Sequence, residues 1–278
     1  MSRDRKPTLR WLTRAGRSVG RGQIVVLAIA AIVGVAALSL GLVALRSSEP
    51  EGPRRAVIVD QLSLTFPNPE FIASARATLE RAGYIVDYYP GEQATVDLFS
   101  RFPAIDYDLV ILRAHSARFI SEREGEPVDE AMLFTSDRYT EEKVVEFESG
   151  YSQYADGARV WPFGIARYVE GGEQLIGIGP DFVEHRMDGD FDGATVILMG
   201  CDILSGEKLA EAFVNKGASA VVGWDRDVSA SHTDLATEHL LQLLVDDVPA
   251  EGAVDQTMAE VGPDPAFGSV LRSYTPDG

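Results

Sequence analysis

The chain has 278 residues, and its single cysteine, Cys201, excludes a disulfide within the chain. Hydrophobic residues make up 45% of it, which is typical of a globular protein rather than a disordered one. From residue 47 onward 17 basic residues face 42 acidic ones, a formal charge of −25. A field of that sign repels nucleic-acid phosphates and anionic lipid headgroups, so no nucleic-acid partner is expected.

The N-terminus combines a basic tail at residues 1–23 with an apolar run at 24–45 that contains no ionisable side chain. A helix needs roughly 20 residues to cross the hydrocarbon core, and this run is long enough. A cleaved signal peptide has a shorter apolar core, of about 7–15 residues, and a small-residue cleavage site, which residues 42–46 do not offer. We therefore predict one transmembrane helix and a single-pass protein of the cell membrane.

The basic tail also predicts the orientation, because Lys and Arg that flank a spanning helix stay in the cytoplasm. The tail is then cytoplasmic and the C-terminal part extracytoplasmic. Residues 46–54 form a short polar linker rich in Pro and Ser, and residues 55–278 form one domain.

Within this domain apolar strands alternate with amphipathic helices, which predicts a three-layer α/β fold with a mostly parallel central sheet. The predicted strands are Ala56–Asp60, Tyr84–Tyr88, Asp108–Leu112, Thr195–Met199 and Ala218–Val222. The predicted helices are Pro69–Ala82, Lys208–Lys216, Thr233–Leu244 and Val254–Val261. The segment at 116–192 fits the alternation badly and is interpreted as an insertion that borders the ligand crevice at the carboxyl ends of the strands.

Two reactive residues follow the two most apolar strands, His115 after the third and Cys201 after the fourth. If these strands are neighbours, both side chains reach one crevice, where an imidazole can take the thiol proton and leave a nucleophilic thiolate. Gly200 would allow a substrate backbone to approach closely. The backbone amides of Ser116 and Cys201 could then stabilise an oxyanion. A buried cysteine that acts only as a small hydrophobe is the alternative.

This arrangement resembles the caspase-like (clan CD) cysteine peptidases, in which the catalytic His follows one apolar strand and the Cys follows the next, after a small residue. The sequence from Gly200 through the helix at 209–213 to Trp224 is closest to the CHAT domains of that group. The resemblance implies that Cys201 is the nucleophile and His115 the base of an endopeptidase that needs no cofactor. It also implies a substrate pocket at Trp224, Asp225 and Asp227, whose acids would favour a basic side chain of a peptide or protein substrate.

Two other functions stay open: a catalytically inactive caspase-like domain that binds a peptide or protein partner in the same crevice, and an extracytoplasmic calcium- or solute-binding module. Asp188–Gly193 resembles the start of a calcium loop, but Met199 stands where that loop needs a bidentate Glu, so an acidic turn is the main interpretation. His185 and His239 are predicted at the surface of helices. His232 is predicted at a helix start that could border the site.

Overall fold

The computed structural model describes residues 52–123, 126–149 and 162–276. The predicted transmembrane helix at 24–45 and the tail before it lie outside these residues. Among the residues described, no helix has the length and apolar character that a membrane span requires.

The described strands are β1 Arg55–Asp60, β2 Ile85–Pro90, β3 Leu109–Arg113, β4 Ser116–Arg123, β5 Glu126–Arg138, β6 Phe163–Arg167, β7 Gln174–Ile178, β8 Thr195–Leu198, β9 Ala220–Trp224 and β10 Leu271–Tyr274. The described α-helices are α1 Pro69–Arg81, α2 Val96–Arg101, α3 Glu141–Ser149, α4 Pro180–Arg186, α5 Lys208–Asn215, α6 Ala230–Val245 and α7 Ala250–Val261.

The central sheet has the strand order β2-β1-β3-β8-β9-β10. Each neighbouring pair from β2 to β9 is parallel, and only β10 runs antiparallel, at the edge beside β9. All five residues of β3 and of β9 are buried. Continuous apolar strands of this kind are typical of a parallel sheet that is covered on both faces. The predicted mixed α/β fold with a mostly parallel sheet is confirmed.

Two hydrophobic clusters divide the core into the two faces of the sheet, because successive side chains of a strand point to opposite sides. Ala56 and Ile58 of β1 belong to the cluster that also contains residues of α1, α6 and α7. Val57 and Val59 belong to the other cluster, together with residues of α2, α4 and α5. The helices therefore form one layer on each face, as the predicted three-layer arrangement requires.

Local signals account for the helix after β1. The side chain of Asn68 accepts a hydrogen bond from the Phe71 amide and caps α1, and Pro69 occupies its first turn. The helix buries one stripe of apolar residues against the sheet, and Gly83, with a positive φ of 88°, follows its end. The predicted helix at this place is confirmed to within one residue.

The segment at 116–192 contains a second sheet, which the sequence did not predict. Its strands β4, β5, β7 and β6 are antiparallel in that order, and β4 starts directly after the carboxyl end of β3. The same segment also supplies α4, whose Phe182 and Val183 are buried in the central core. The segment is thus more regular than its poor fit to the alternation of strands and helices indicated.

Candidate functional site

The carboxyl ends of β3 and β8 form the centre of the candidate site. The two strands are direct neighbours, with Leu112 paired with Leu198, so the condition set by the sequence is met. His115 follows β3 after one intervening residue, and Cys201 follows β8 after two. Both line one cavity of about 520 Å³. Parallel strands deliver their following loops to the same edge of the sheet, which explains the meeting of two residues distant in the chain.

The imidazole of His115 is fixed on several sides. Its backbone N–H donates to Oε1 of Gln61 at 3.0 Å, and its Nε2 lies 2.7 Å from Oγ1 of Thr65. The aromatic rings of Phe66, Phe134 and Tyr168 surround it. Burial, and secondly the charge of Arg113, lower the pKa of His115 to about 4. The ring is therefore neutral at pH 7 and able to accept a proton.

The thiol of Cys201 is half-buried and contacts the backbone of Val228, whose N–H donates to Sγ at 3.4 Å. Burial raises the pKa of Cys201 to about 11, and the carboxylates of Asp227 and Asp202 raise it as well, against the lowering effect of the Val228 amide. At pH 7 the thiol is therefore protonated.

His115 and Cys201 share one cavity but form no ion pair with each other in the described structure. Within the described part of the chain, Sγ of Cys201 contacts the Val228 backbone and the Asp227 side chain, and Nε2 of His115 contacts Thr65. No hydrogen bond joins the side chains of His115 and Cys201 there. A neutral base beside a neutral thiol can act by general-base catalysis, in which the proton moves as the sulfur attacks. Burial of the thiol thus opposes the thiolate that the sequence predicts.

Gly200 is required by the packing between the ends of β3 and β8. A Cβ atom there would lie 2.1 Å from Oγ of Ser116 and 2.6 Å from the carbonyl oxygen of Ala114. The protein itself therefore fills the side of Gly200 that a Cβ would occupy, while Gly200 also lines the cavity. The close approach of a substrate backbone to Gly200 stays a prediction. The hydroxyl of Ser116 donates to the carbonyl of Cys201 at 2.5 Å and ties the loop after β8 to β4. The oxyanion role of the Ser116 and Cys201 amides stays a prediction.

The three residues predicted for the substrate pocket do not line the cavity. Trp224 is the last residue of β9 rather than part of the following loop; it is fully buried, and its Nε1 donates to Thr233. Asp225 accepts hydrogen bonds from the amide of Val270 and from Arg272. Asp227 is exposed, and its carboxylate raises the pKa of Cys201 through its charge and through a side-chain hydrogen bond.

A buried ion-pair network lies beneath the site, and the sequence analysis missed it. The guanidinium of Arg113 donates to Asp60 at 2.6 Å and to both carboxylate oxygens of Asp234 at 2.7 and 2.8 Å. All three side chains are at most 6% exposed. Charged residues at the end of otherwise apolar strands, Asp60 in β1 and Arg113 in β3, were the signal that could have revealed it.

The other histidines take no part in the cavity lining. His185 is exposed on α4, as predicted. His239 is half-buried, and its Nδ1 lies 3.1 Å from the Thr257 hydroxyl. His232 packs against Trp224, and its Nε2 lies 3.1 Å from the carbonyl oxygen of Gly262. His232 thus begins α6 as expected but points away from the cavity.

Residues 188–193 form a turn between α4 and β8 that is tied to the end of α5 by backbone hydrogen bonds. Among the described residues, no group of three or more His, Cys, Asp or Glu side chains is arranged to hold a metal ion. The acidic-turn interpretation of this segment agrees with its geometry.

Buried neutral His115 makes stability dependent on pH. Its pKa falls from about 6.5 in the unfolded chain to about 4 in the folded one. The contribution of His115 to the free energy of unfolding is therefore complete above pH 6.5 and is lost as pH falls through 4. We expect His115→Gln to reduce the loss of unfolding free energy between pH 7 and pH 4 by about 1–3 kcal/mol. Urea unfolding of the wild type and the variant at both pH values measures this difference.

His185→Gln, at an exposed histidine on α4, provides the matched control for the exchange of histidine for glutamine. Equal pH dependence of wild type and His115→Gln would contradict the burial of a neutral imidazole at this position.

Comparison with known proteins finds no matching family model and no matching curated protein. Among solved structures, the chain is similar to the crystal structure of the Arg-specific cysteine proteinase gingipain R (RgpB), with a TM-score of 0.39 and 12% identity. The match covers 75% of this chain and 43% of the gingipain chain, so this chain spans less than half of that protein. At that TM-score and identity, the likeness carries no argument about this chain.

Proposed function

We propose that the chain is a cysteine endopeptidase of the caspase-like type, with a His115–Cys201 dyad. The observation that carries the proposal is that both residues follow neighbouring parallel strands and line one cavity. The order of the two residues along the chain, and the sequence from Gly200 to Trp224 that resembles CHAT domains, support the same assignment.

The chemistry is acyl transfer. Sγ of Cys201 attacks the carbonyl carbon of the scissile peptide bond while His115 takes the thiol proton, and His115 then gives this proton to the leaving amine. Water hydrolyses the resulting thioester and restores the thiol. If Nε2–H of His115 donates to Thr65, then Nδ1 is the basic nitrogen, so Thr65 has the role of fixing the tautomer.

The location follows from the N-terminal sequence. The apolar run at 24–45 anchors the protein in the cell membrane, and the seven basic residues of the tail keep the N-terminus in the cytoplasm. The linker at 46–54 is too short for a long stalk, so the domain acts on peptide or protein substrates close to the extracytoplasmic surface of the cell membrane.

The test is proteolysis by the full-length chain in detergent. A proteome-derived peptide library is incubated with the protein, and new termini are identified by mass spectrometry. We expect cleavage by the wild type, none by Cys201→Ala, and a rate about 10²–10⁴ lower for His115→Ala. His185→Ala, a surface histidine on α4, should cleave at the wild-type rate. Cleavage that survives in Cys201→Ala, or no cleavage by any chain, would contradict the proposal.

A catalytically inactive caspase-like domain that binds a peptide or protein in the same cavity is the second candidate. The specific observation in its favour is the raised pKa of Cys201, since a protonated thiol is a poor nucleophile. This candidate predicts that peptides bind to wild type and to Cys201→Ala with equal affinity and remain uncut.

A further inference from the structure

The cavity beside the dyad has a wall without ionised side chains. Its described lining includes no Asp, Glu, Lys or Arg, and His115 is neutral above its pKa of about 4. This is unusual because the chain from residue 47 onward has a formal charge of −25. The apolar part of the lining consists of Leu62, Phe66, Ala114, Met199, Val228, Ala230, Ala266 and Phe267.

Two phenylalanines at the cavity are exposed although large apolar side chains are usually buried. Phe66 is 54% exposed and Phe267 is 50% exposed. They belong to different parts of the chain, one to the turn after β1 and the other to the loop before β10, yet they line the same cavity. Aromatic side chains left open at a cavity offer apolar contact area to a ligand.

The wall that carries Phe267 is held in place by Asp264. The buried carboxylate of Asp264 accepts from the amides of Ala266 and Phe267 at 2.8 and 2.9 Å. Its other oxygen accepts from the amide of Ser229, at the start of α6, at 2.9 Å. One side chain thus joins two walls of the cavity, so the pocket is a built feature of the fold.

The acidic residues that suggested a basic substrate lie elsewhere. Asp225 is paired with Arg272, and Asp227 is exposed outside the lining. A Lys or Arg side chain within the cavity would lose its hydration without a carboxylate in the described lining to replace it, which is costly. An apolar side chain has no charge to dehydrate, and its burial in the cavity is favourable.

We propose, on the basis of the proposed function, that this cavity selects a large apolar side chain, Leu, Met or Phe, on the residue whose carbonyl Cys201 attacks. That side chain begins two bonds from the carbonyl carbon, and Cys201 is itself part of the cavity wall. A volume of about 520 Å³ accommodates such a side chain together with part of the peptide backbone.

The experiment uses the full-length chain in detergent and peptidyl acyloxymethyl ketones that differ only in the residue next to the reactive group. These compounds alkylate an active-site thiol, and mass spectrometry reports the rate of adduct formation at Cys201. We expect the Leu and Phe compounds to react at least about tenfold faster than the Arg and Asp compounds.

The variant Phe267→Asp tests the cavity wall directly. It should slow the Leu compound by about tenfold and accelerate the Arg compound. Leu235→Asp, at an exposed position on α6 outside the cavity, is the matched control and should react as the wild type does.

The two proposals fail in different ways. Faster reaction of the Arg or Asp compound, or an unchanged preference in Phe267→Asp, overturns the apolar pocket and leaves the peptidase standing. Failure of every peptidyl compound to label Cys201 overturns both proposals.

Discussion

Replacing Asp234 by alanine is expected to lower the free energy of unfolding by about 3–5 kcal/mol. The change leaves the fully buried guanidinium of Arg113 with Asp60 as its remaining carboxylate partner. A charged donor that loses its acceptor away from water keeps the full cost of its desolvation. Asn68, which caps α1, also donates to Asp234 at 2.9 Å and would lose this acceptor. Urea unfolding of the purified chain, followed by circular dichroism, measures the difference.

The matched control is Asp255→Ala, an exposed aspartate on α7, for which we expect a change within about 0.5 kcal/mol. Asp234→Asn keeps one oxygen acceptor and should fall between the two. Equal stability of Asp234→Ala and Asp255→Ala would show that the buried ion pair contributes nothing to folding.

The same network also positions the candidate base. Arg113 donates to the backbone carbonyl of Phe66 at 2.9 Å, and Asp60 accepts from the amide of Ser63 at 3.1 Å. Both contacts hold the turn that carries Thr65 against the end of β3. Because Thr65 is the hydrogen-bond partner of His115, the stability of the core and the orientation of the imidazole depend on one set of charges.

The strands that carry the dyad could be predicted because they are buried on both faces. A continuous apolar run with turn residues at its ends is a local signal, and β1, β3 and β8 all have it. Parallel pairing then brings the carboxyl ends of β3 and β8 to one edge. The position of His115 and Cys201 in one cavity followed from that rule together with the apolar runs.

The second sheet and the edge strand β10 carried no comparable signal. The strands β4 and β5 mix charged with apolar residues, and β5 pairs with β7, which is distant in sequence. The short β10 contains Arg272 and Ser273 within four residues. Such strands are stabilised by their neighbours in the sheet rather than by local sequence, so only tertiary structure reveals them.

The partners and the ionisation of the dyad were equally inaccessible to sequence reasoning. Gln61 and Thr65 reach His115 from a turn after β1 that no motif marks as functional. The prediction of a thiolate at Cys201 assumed an adjacent imidazole and a thiol that is not buried. Burial and the carboxylates of Asp202 and Asp227 reverse that expectation. These are long-range effects that depend on the assembled fold.

Replacing Gly200 by alanine is expected to destabilise the folded chain by about 1–3 kcal/mol and to displace the loop that carries Cys201. The added Cβ would lie 2.1 Å from Oγ of Ser116 and 2.6 Å from the backbone carbonyl of Ala114. A side chain can rotate away, but the Ala114 carbonyl can move only with the chain that links β3 to β4. The change should therefore shift the strand ends that bring His115 and Cys201 together. Thermal unfolding and the rate of Cys201 alkylation by iodoacetamide measure the two consequences.

Gly206→Ala is the matched control, because a Cβ at Gly206 meets nothing within 4 Å. It lies in the loop that follows Cys201, and its replacement should change stability by less than about 0.5 kcal/mol. The double variant Gly200→Ala with Ser116→Gly removes one of the two clashes and should recover only part of the loss, since the Ala114 carbonyl remains. Wild-type stability and alkylation in Gly200→Ala would contradict the close packing of the β3 and β8 ends, because a contact of 2.6 Å with backbone has no low-energy way to relax in place.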